Sequence, residues 1–376
     1  MSYRTAPIGD RERRYTLIVE APGQAPLRRE LLLPVGWRDR YVPLAMPFPL
    51  QYHAATAAAD GGVIVTGGSR SGLVLSDGIE RFDPQTRAFS RIGQLRTGRC
   101  AHTATRLDDG RILVLGGQIS LEIGPVADLV DERSGAVAEG GRLQLPRSRH
   151  AAVALADGRV LVVGGLNRDS AELWDPQTRR FRLLAARLQH VREFPSATLL
   201  ADGRVLIAGG WHGGPFYRFA ELFDPRTERF EPVPDAIAQR RLMHQAWRQA
   251  DGSVLIVGGE ELDEAQERIL PLASVLRFDP ASGRFTSEPA LDQPRSLVRG
   301  VQLPDGHLLM FGGSGAAPQP LASASAYRAG SPGTALAPMP QGRAWHTVSR
   351  LGDGRVLILG GDDAGGQPLM KAYLYE

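Results

Sequence analysis

The sequence has one cysteine, Cys100, and no apolar run near the ~18 residues that a membrane-spanning helix needs. A single cysteine excludes an intramolecular disulfide and is typical of a reducing compartment. The N-terminus, MSYRTAPIGDRERR, also lacks the apolar segment of a signal peptide. These absences predict a cytoplasmic protein that has no membrane partner.

An excess of charge of one sign is absent as well, because the formal net charge is only +3 and no basic run occurs. Lys371 is the only lysine, so nearly every cation is an arginine. Since there is neither a basic run nor an RNA-binding motif, a nucleic-acid partner is not expected. We expect a monomer whose partner is a small molecule, a peptide or another protein.

Glycine is abundant, and the pair Gly-Gly recurs at a spacing of roughly fifty residues, each time after a short apolar run. An Asp-Gly pair precedes each Gly-Gly pair by a constant interval. A fixed period of this length indicates a repeat architecture. The first glycines of the pairs are Gly67, Gly116, Gly164, Gly209, Gly258, Gly312 and Gly360.

The third repeat, which begins at Arg149, reads as four short strands. RHAAVALA and RVLVV are joined by Asp157-Gly158, which tolerates the positive φ of a tight hairpin. AELWD and RRFRLL are joined by a turn at Asp175-Pro176. Seven four-stranded antiparallel sheets stacked radially bury both faces of each sheet. The repeats therefore predict an all-β fold, a seven-bladed β-propeller.

The last blade is one strand short, because the seventh repeat stops at Tyr375-Glu376. RYVPL (40–44) matches the fourth strand RFRLL (180–184), so an N-terminal strand is predicted to close the last blade. The domains are then a propeller over 37–376 and an N-terminal extension over 1–36. Within the extension, residues 15–20 and 27–33 are predicted to form a hairpin.

PRSRHAAV (146–153), RVLVVGG (159–165) and AELWDPQTRRF (171–181) together resemble a kelch repeat. The resemblance covers about residues 37–376, and the DGR-V-x-x-GG variant is similar to the repeats of bacterial kelch proteins and of galactose-oxidase-like propellers. It implies the propeller fold. It implies no single function, because such propellers include enzymes as well as binding modules.

Chain direction places the Asp-Gly and Asp-Pro turns on one face of the propeller. The loops after Gly-Gly and the entries to the first strands lie on the other face, which we call the loop-rich face. These loops vary in length and composition, and binding residues are commonly found on loops held by a rigid scaffold. A site is therefore predicted on the loop-rich face, around the central channel.

Histidine and arginine recur at the strand entries of this face. The histidines either bond neighbouring blades or, where two or three converge, bind a divalent metal, since imidazole is a common ligand. The arginines either make inter-blade hydrogen bonds or form an exposed anion-binding mouth. The histidines are His53, His102, His150, His244 and His346, and the arginines are Arg99, Arg147, Arg192, Arg241, Arg295 and Arg343.

The fourth Gly-Gly loop, WHGGPFYRFAE (211–221), carries aromatic residues where the surface is expected. Exposed aromatic side chains beside a channel mouth are typical ligand or partner anchors. Trp211, His212 and Tyr217 are therefore predicted to form one wall of the site.

The resemblance to galactose-oxidase-like propellers implies a copper site with a Tyr-His pair, a cysteine-linked tyrosine and a second histidine. Tyr52-His53 supplies such a pair, but the last blade carries Trp345-His346. The blade after Cys100 carries Arg149-His150 where the linked tyrosine is needed. A Cys–Tyr copper radical cofactor is therefore not expected.

The leading functional hypothesis is a binding propeller for a small polar or anionic molecule, or a peptide, at the arginine-rich mouth. One alternative is an enzyme, either metal-dependent through the channel histidines or similar to the isomerase and epimerase chemistry of sialic-acid mutarotase kelch proteins. In the second case the arginines would hold an acidic substrate and a histidine would move a proton. A second alternative is a scaffold that engages a protein partner, and whether the protein is an enzyme stays open.

Overall fold

The computed structural model describes residues 2–8, 12–19, 27–34, 38–71, 74–120, 122–211, 220–233, 241–263, 268–317 and 319–376. In this part of the chain the regular elements are strands, and no helix is long and apolar enough to cross a membrane. The first three strands form an antiparallel sheet in the order β1-β2-β3. They are β1 (Ser2–Ile8), β2 (Glu12–Val19) and β3 (Leu27–Pro34). β2 and β3 form an antiparallel pair, and Ser2–Ile8 adds a strand that was not predicted.

Seven four-stranded antiparallel sheets follow, which confirms the seven-bladed propeller. Each blade has the Gly-Gly pair after its second strand, and in blades one, two and five a short hairpin is inserted there. The strands are β4 (Tyr41–Ala45), β5 (Ala54–Ala57), β6 (Val63–Thr66), β7 (Ser69–Ser71), β8 (Val74–Leu75), β9 (Gly78–Asp83), β10 (Ala88–Gln94), β11 (Thr103–Arg106), β12 (Arg111–Leu115), β13 (Gln118–Ile119), β14 (Glu122–Ile123), β15 (Val126–Asp131), β16 (Val137–Arg142), β17 (Ala151–Ala154), β18 (Val160–Val163), β19 (Ser170–Asp175), β20 (Arg180–Arg187), β21 (Ser196–Leu199), β22 (Val205–Ala208), β23 (Ala220–Asp224), β24 (Arg229–Pro232), β25 (Gln245–Arg248), β26 (Val254–Val257), β27 (Glu260–Asp263), β28 (Arg268–Pro271), β29 (Val275–Asp279), β30 (Arg284–Glu288), β31 (Arg299–Gln302), β32 (Leu308–Phe311), β33 (Ala324–Arg328), β34 (Ser331–Leu336), β35 (Thr347–Arg350), β36 (Val356–Leu359) and β37 (Lys371–Tyr375).

The innermost strands of the blades, from one to seven, are β5, β11, β17, β21, β25, β31 and β35. The second strands are almost entirely apolar because both faces of each sheet are covered. In β18, Val160 and Val162 pack in one cluster with Leu113 of blade two, whereas Leu161 packs with Ile207 of blade four. Alternation along the strand therefore divides its side chains between two neighbouring blades.

The double glycine is required by the junction between blades. Gly67 and Gly68 both have positive φ, and a Cβ on Gly67 would lie 2.5 Å from the Arg99 carbonyl oxygen and 2.6 Å from His102 Cε1. The Gly68 amide donates to the same Arg99 carbonyl at 2.8 Å. The equivalent bond recurs at every junction and ends with Gly361 donating to Leu50, at 2.9 Å, across the closure. Only glycine allows the entry of the next blade to approach this closely.

The closure predicted from the sequence is present, because β37 pairs with β4 in antiparallel register from Lys371↔Ala45 to Tyr375↔Tyr41. The Tyr375 hydroxyl donates to Asp39 at 2.6 Å, and Arg40 forms an ion pair with Glu376. Blade seven thus consists of β35, β36, β37 and β4, and no edge strand is left unpaired at the closure.

The Asp-Gly turns hold the opposite face together. Arg159, next to the turn of blade three, pairs with Asp157 and donates through Nη2 to the Pro225 carbonyl of blade four at 3.0 Å. Arg355 makes the same type of contact to the Pro84 carbonyl of blade one at 2.6 Å. These contacts place the Asp-Gly and Asp-Pro turns on one face, as the chain direction predicts.

Candidate functional site

The six arginines that were predicted to surround the channel mouth are buried, and none is measurably exposed to solvent. Each one turns back along its own blade, where Nη1 donates to the carbonyl of the first Gly of the Gly-Gly pair at 2.8–3.3 Å. In blades two to four the guanidinium also pairs with a buried carboxylate of the third strand. These ion pairs are Arg99–Asp128, Arg147–Glu172 and Arg192–Glu221.

This geometry favours the structural alternative for the arginines over the anion-binding one. Backbone carbonyls and carboxylates use the donors of Arg99, Arg147 and Arg192, and the other three guanidinium groups are buried away from a ligand at the surface. The bonds also run within a blade rather than between blades, which differs from the predicted inter-blade role. In blade seven the third strand has Tyr373 instead of an acid, and Arg343 lies over its ring at 4.8 Å.

Arg147→Lys is expected to lower the free energy of unfolding by roughly 1–3 kcal/mol, because the three donors of one ammonium nitrogen cannot replace the five hydrogen bonds that the guanidinium group makes to Gly164, Ser170 and Glu172. Thermal and urea unfolding would measure the loss. The matched control is Arg182→Lys, since this exposed arginine pairs with Glu228 at the surface. If Arg147→Lys kept its stability but lost a response to an acidic ligand, the anion-binding alternative would stand.

The five histidines are also buried, and four of them connect neighbouring blades rather than converging. Nε2 of His53 lies 2.7 Å from the Thr347 hydroxyl, and Nε2 of His150 lies 3.0 Å from the Thr103 hydroxyl. His244 contacts Ser196 at 2.8 Å, and His102 contacts Thr66 at 3.0 Å. Burial lowers the pKa of His53, His102, His150 and His244 to about 3, so these rings are neutral at physiological pH.

A ring of strained residues surrounds the channel on the loop-rich face. The residue before each histidine position has a φ of 51–57°, the left-handed conformation, which is uncommon for residues other than glycine. The sequence gives no sign of this conformation, and none of these residues was predicted as a site residue. We call them the entry ring, and they are Tyr52, Ala101, Arg149, Phe194, Met243, Leu297 and Trp345.

Three aromatic members of the entry ring meet over the channel. The ring centroids of Tyr52 and Trp345 are 4.8 Å apart, and those of Phe194 and Trp345 are 6.1 Å apart. Because Phe194 belongs to blade four and Trp345 to blade seven, their contact reaches across the opening. All three are only partly buried. They form a floor of aromatic faces, which we call the aromatic floor.

Polar side chains stand at the edge of the aromatic floor. Arg149 lies over the Phe194 ring at 5.4 Å and donates to the buried Glu193 at 2.9 Å. Asp362, next to the last Gly-Gly pair, is 9 % exposed, and its Oδ1 has no hydrogen-bond partner. Burial raises the pKa of Asp362 to about 6, and burial followed by the Asp362 charge raises the pKa of the Tyr52 hydroxyl. A carboxyl group that titrates near neutral pH therefore lies beside an exposed aromatic face.

Asp362→Asn is expected to stabilise the fold by about 1–2 kcal/mol at pH 8 and to have little effect at pH 4. The pKa of Asp362 is about 6 in the folded protein, above the ordinary value of 3.8. The contribution of this group to folding stability is therefore complete below pH 3.8. It is lost as pH rises through 6. Unfolding measurements at both pH values would test this, with the exposed Asp108→Asn as control. A stabilisation that is equal at pH 4 and pH 8 would contradict the raised pKa.

Cys100 is closer to a tyrosine than the sequence indicates. The prediction looked for a tyrosine on the following blade and found Arg149-His150. The structure instead places Tyr52, from the preceding blade, near enough for the thiol to affect its pKa. Burial raises the pKa of the Cys100 thiol, which keeps it protonated and weakly reactive.

The loop predicted as one wall of the site is described only at its ends. Trp211 is partly buried and its backbone bridges to Glu193, so it stands beside the Arg149–Glu193 pair. His212 and Tyr217 lie outside the described residues. Two open depressions, of about 840 and 640 Å³, lie instead on the face of the Asp-Gly turns, and both are lined by Gln302 and Arg350.

Comparisons with known proteins establish the class of fold. No family model and no curated protein matches the sequence. Among solved structures, the chain is similar to a novel fungal alcohol oxidase with catalytic diversity among the AA5 family, in complex with copper. The TM-score is 0.72 and the identity 16 %, over 90 % of this chain and 76 % of that chain. At this identity the likeness shows the propeller fold.

The residues of this chain do not fit a copper ion such as the one bound in that oxidase structure. In the described ranges no group of three His, Cys, Asp or Glu side chains is placed to hold a metal ion. His53 and His346 lie on adjacent blades, but Thr347 engages Nε2 of His53. Burial lowers the pKa of both rings, and the positive charge of Arg299 lowers it further; the same charge opposes a bound cation. We therefore assign no chemistry to a metal.

Proposed function

We propose that this propeller binds a small polar molecule on the aromatic floor of the loop-rich face. The observation that carries the proposal is the meeting of Tyr52, Phe194 and Trp345 over the channel while their rings stay partly exposed. Aromatic faces in a concave surface with a few convergent polar groups are the usual composition of a ligand site.

The polar groups at the edge favour a ligand that has a flat apolar face and several hydroxyl groups, such as a cyclic polyol or a sugar. Its apolar face would stack on Trp345 and Tyr52. The free Oδ1 of Asp362 would accept a hydrogen bond from a hydroxyl group, and Arg149 would hold an acidic substituent. The residue that we propose for binding an anionic group is therefore the exposed Arg149, and not one of the six buried arginines.

Calorimetric titration with a panel of sugars, cyclic polyols and hydroxy acids would test this proposal. We expect Trp345→Ala and Tyr52→Ala each to weaken binding at least ~10-fold, as the loss of stacking on a central aromatic side chain does. The matched control is Trp247→Phe, which changes a partly buried tryptophan of β25. A ligand whose affinity neither alanine variant alters would refute the site.

The enzyme alternative has one supporting observation, the raised pKa of Asp362 beside Tyr52. A carboxyl group that titrates near 6 suits proton abstraction from a carbon-bound or hydroxyl position. Once a ligand is identified, NMR in deuterated solvent would detect exchange of its protons with the solvent. Asp362→Asn should abolish the exchange while binding persists. Exchange that continues in this variant would exclude Asp362 as the base.

We also infer that the repeats are of the kelch kind, which the double glycines, the Asp-Pro turns and the strand entries support. The boundary between the extension and the propeller, the cytoplasmic location, the monomeric state and the absence of nucleic-acid and membrane partners stay predictions. The peptide ligand and the protein partner stay predictions as well.

A further inference from the structure

Three of the seven junctions between inner strands share one arrangement. The first residue of an inner strand offers a hydroxyl to the histidine of the next blade, as Thr103 does for His150 and Ser196 for His244. Four junctions differ: His102 contacts Thr66 of the second strand β6, Ala151 of blade three is matched with Pro195, and the last two are adjacent to each other. Gln245 of blade five is matched with Val298, and Arg299 of blade six is matched with His346.

These two junctions leave polar groups unsatisfied inside the channel. The Gln245 Oε1 and both ring nitrogens of His346 are buried without a hydrogen bond of normal geometry, although the Phe311 backbone lies beside the His346 ring. Arg299 donates through Nη1 to the carbonyl of its own neighbour Val298 at 2.9 Å. Among the described residues no carboxylate pairs with it, and its burial lowers its pKa without an opposing negative charge.

Arg299 lies inside the channel, below the aromatic floor. It follows Leu297 of the entry ring by two residues, which places it roughly 7 Å further along the strand. At the opposite end of the inner strands, Arg248 and Arg350 are exposed, and both line the depression of about 640 Å³. The same depression is also lined by Asp251 and Asp305, so this end of the channel carries charges of both signs.

We propose that the channel holds a small monovalent anion, a halide ion or a carboxylate group, at the Arg299 guanidinium. Arg299 is partly buried, and a guanidinium group with one backbone acceptor and no carboxylate partner among the residues that the structure describes keeps donors free for a ligand. The anion supplies the counter-charge. Arg299 supplies charge-assisted donors, and neutral His346, with one N–H of its own, supplies another. This site is separate from the aromatic floor and does not rest on the function proposed for it.

Diffraction from crystals soaked in sodium bromide would test the proposal directly. We expect an anomalous bromide peak within hydrogen-bonding distance of the Arg299 guanidinium, and no such peak in Arg299→Gln. Bromide at surface positions only would overturn the proposal. Acetate that displaces the peak would assign a carboxylate to the site, and acetate that leaves it would assign a halide.

Melting temperatures separate an anion receptor from a structural arginine. At low salt, Arg299→Met should melt at or above the temperature of the wild type, because it removes an unpaired charge. Added bromide should raise the wild-type melting temperature to a plateau and leave that of the variant unchanged. The control Arg343→Met removes an arginine that holds its blade and should melt lower. If Arg299→Met loses as much as Arg343→Met at low salt, Arg299 is structural and the proposal fails.

The ligand site on the aromatic floor and the anion site at Arg299 can be tested independently of each other. Trp345→Ala should leave the bromide peak in place even where it abolishes ligand binding at the aromatic floor. Conversely, loss of the bromide peak in Arg299→Gln should not prevent an uncharged ligand from binding above it.

Discussion

Removal of residues 1–45 is expected to abolish cooperative folding, whereas removal of residues 1–36 should leave the melting temperature nearly unchanged. The longer deletion takes away β4, the fourth strand of blade seven, and exposes the edge of β37. It also removes Leu44 from the core, and Tyr41, which donates to the Ala337 carbonyl at 2.8 Å.

The loss should be on the order of 5–10 kcal/mol, as one buried and one partly buried side chain and a ladder of hydrogen bonds disappear. That is comparable with the whole net stability of a typical domain. Differential scanning calorimetry of the two truncated chains would decide the matter. A chain without residues 1–45 that melts cooperatively at the full-length temperature would show that β4 does not close the ring.

Acidification from pH 6.5 to 5 is expected to destabilise the protein by on the order of 5–8 kcal/mol. His53, His102, His150 and His244 have folded pKa values of about 3, below the ordinary value of 6.5. Their contribution to stability is therefore full above pH 6.5 and is lost as pH falls towards 3. Each unfolding molecule takes up nearly four protons at these positions, and each proton changes stability by about 1.4 kcal/mol per pH unit. Asp362 partly offsets this loss of stability, because the folded protein takes up one proton at Asp362 as the pH falls below about 6.

The slope of unfolding free energy against pH between 5 and 6 would measure this uptake. His150→Gln should reduce the slope by nearly one proton, since it removes one buried titrating group. Thr103→Val removes the hydroxyl that His150 contacts. It should lower stability at each pH and leave the slope unchanged. A slope that His150→Gln does not alter would mean that His150 titrates alike in the folded and unfolded chain.

The fold was predictable because its determinants are local and repeated. A Gly-Gly pair with positive φ at both positions marks each blade junction, and RYVPL identified the closing strand to within one residue of β4. The Asp-Pro turn is equally local, since Asp175 accepts from the amides of Gln177 and Thr178 within the turn. Such interactions need no knowledge of distant residues.

The roles of the recurring arginines and histidines were harder to predict, because periodicity fixes the position of a side chain and not its direction. A signal was nevertheless present. Blades two to four carry an acid three residues before the Asp of the third-strand turn, as Glu172 does before Asp175, and these acids pair with the arginines. Likewise Thr103 and Ser196 follow the histidine positions and mark them as blade contacts.

The aromatic floor could not be predicted in the same way. Tyr52, Phe194 and Trp345 are far apart in the sequence and share no pattern with the rest of the entry ring. Their meeting depends on the diameter of the ring and on a backbone conformation that no residue type signals there. Arg299 was not predicted for a related reason. It occupies the strand position at which Thr103 and Ser196 carry a hydroxyl group, and the sequence does not show what its side chain contacts.

The closure by β4 has a consequence for how the protein is made. Asp39 leaves the ribosome early, yet its partner Tyr375 lies 336 residues further along the chain. During most of synthesis blade seven has no sheet to receive β4, and the strand must wait as an apolar segment without its partner. A contact between such distant residues makes folding slow and leaves incomplete rings open to aggregation. Chaperone demand should therefore fall sharply at the moment when β37 emerges.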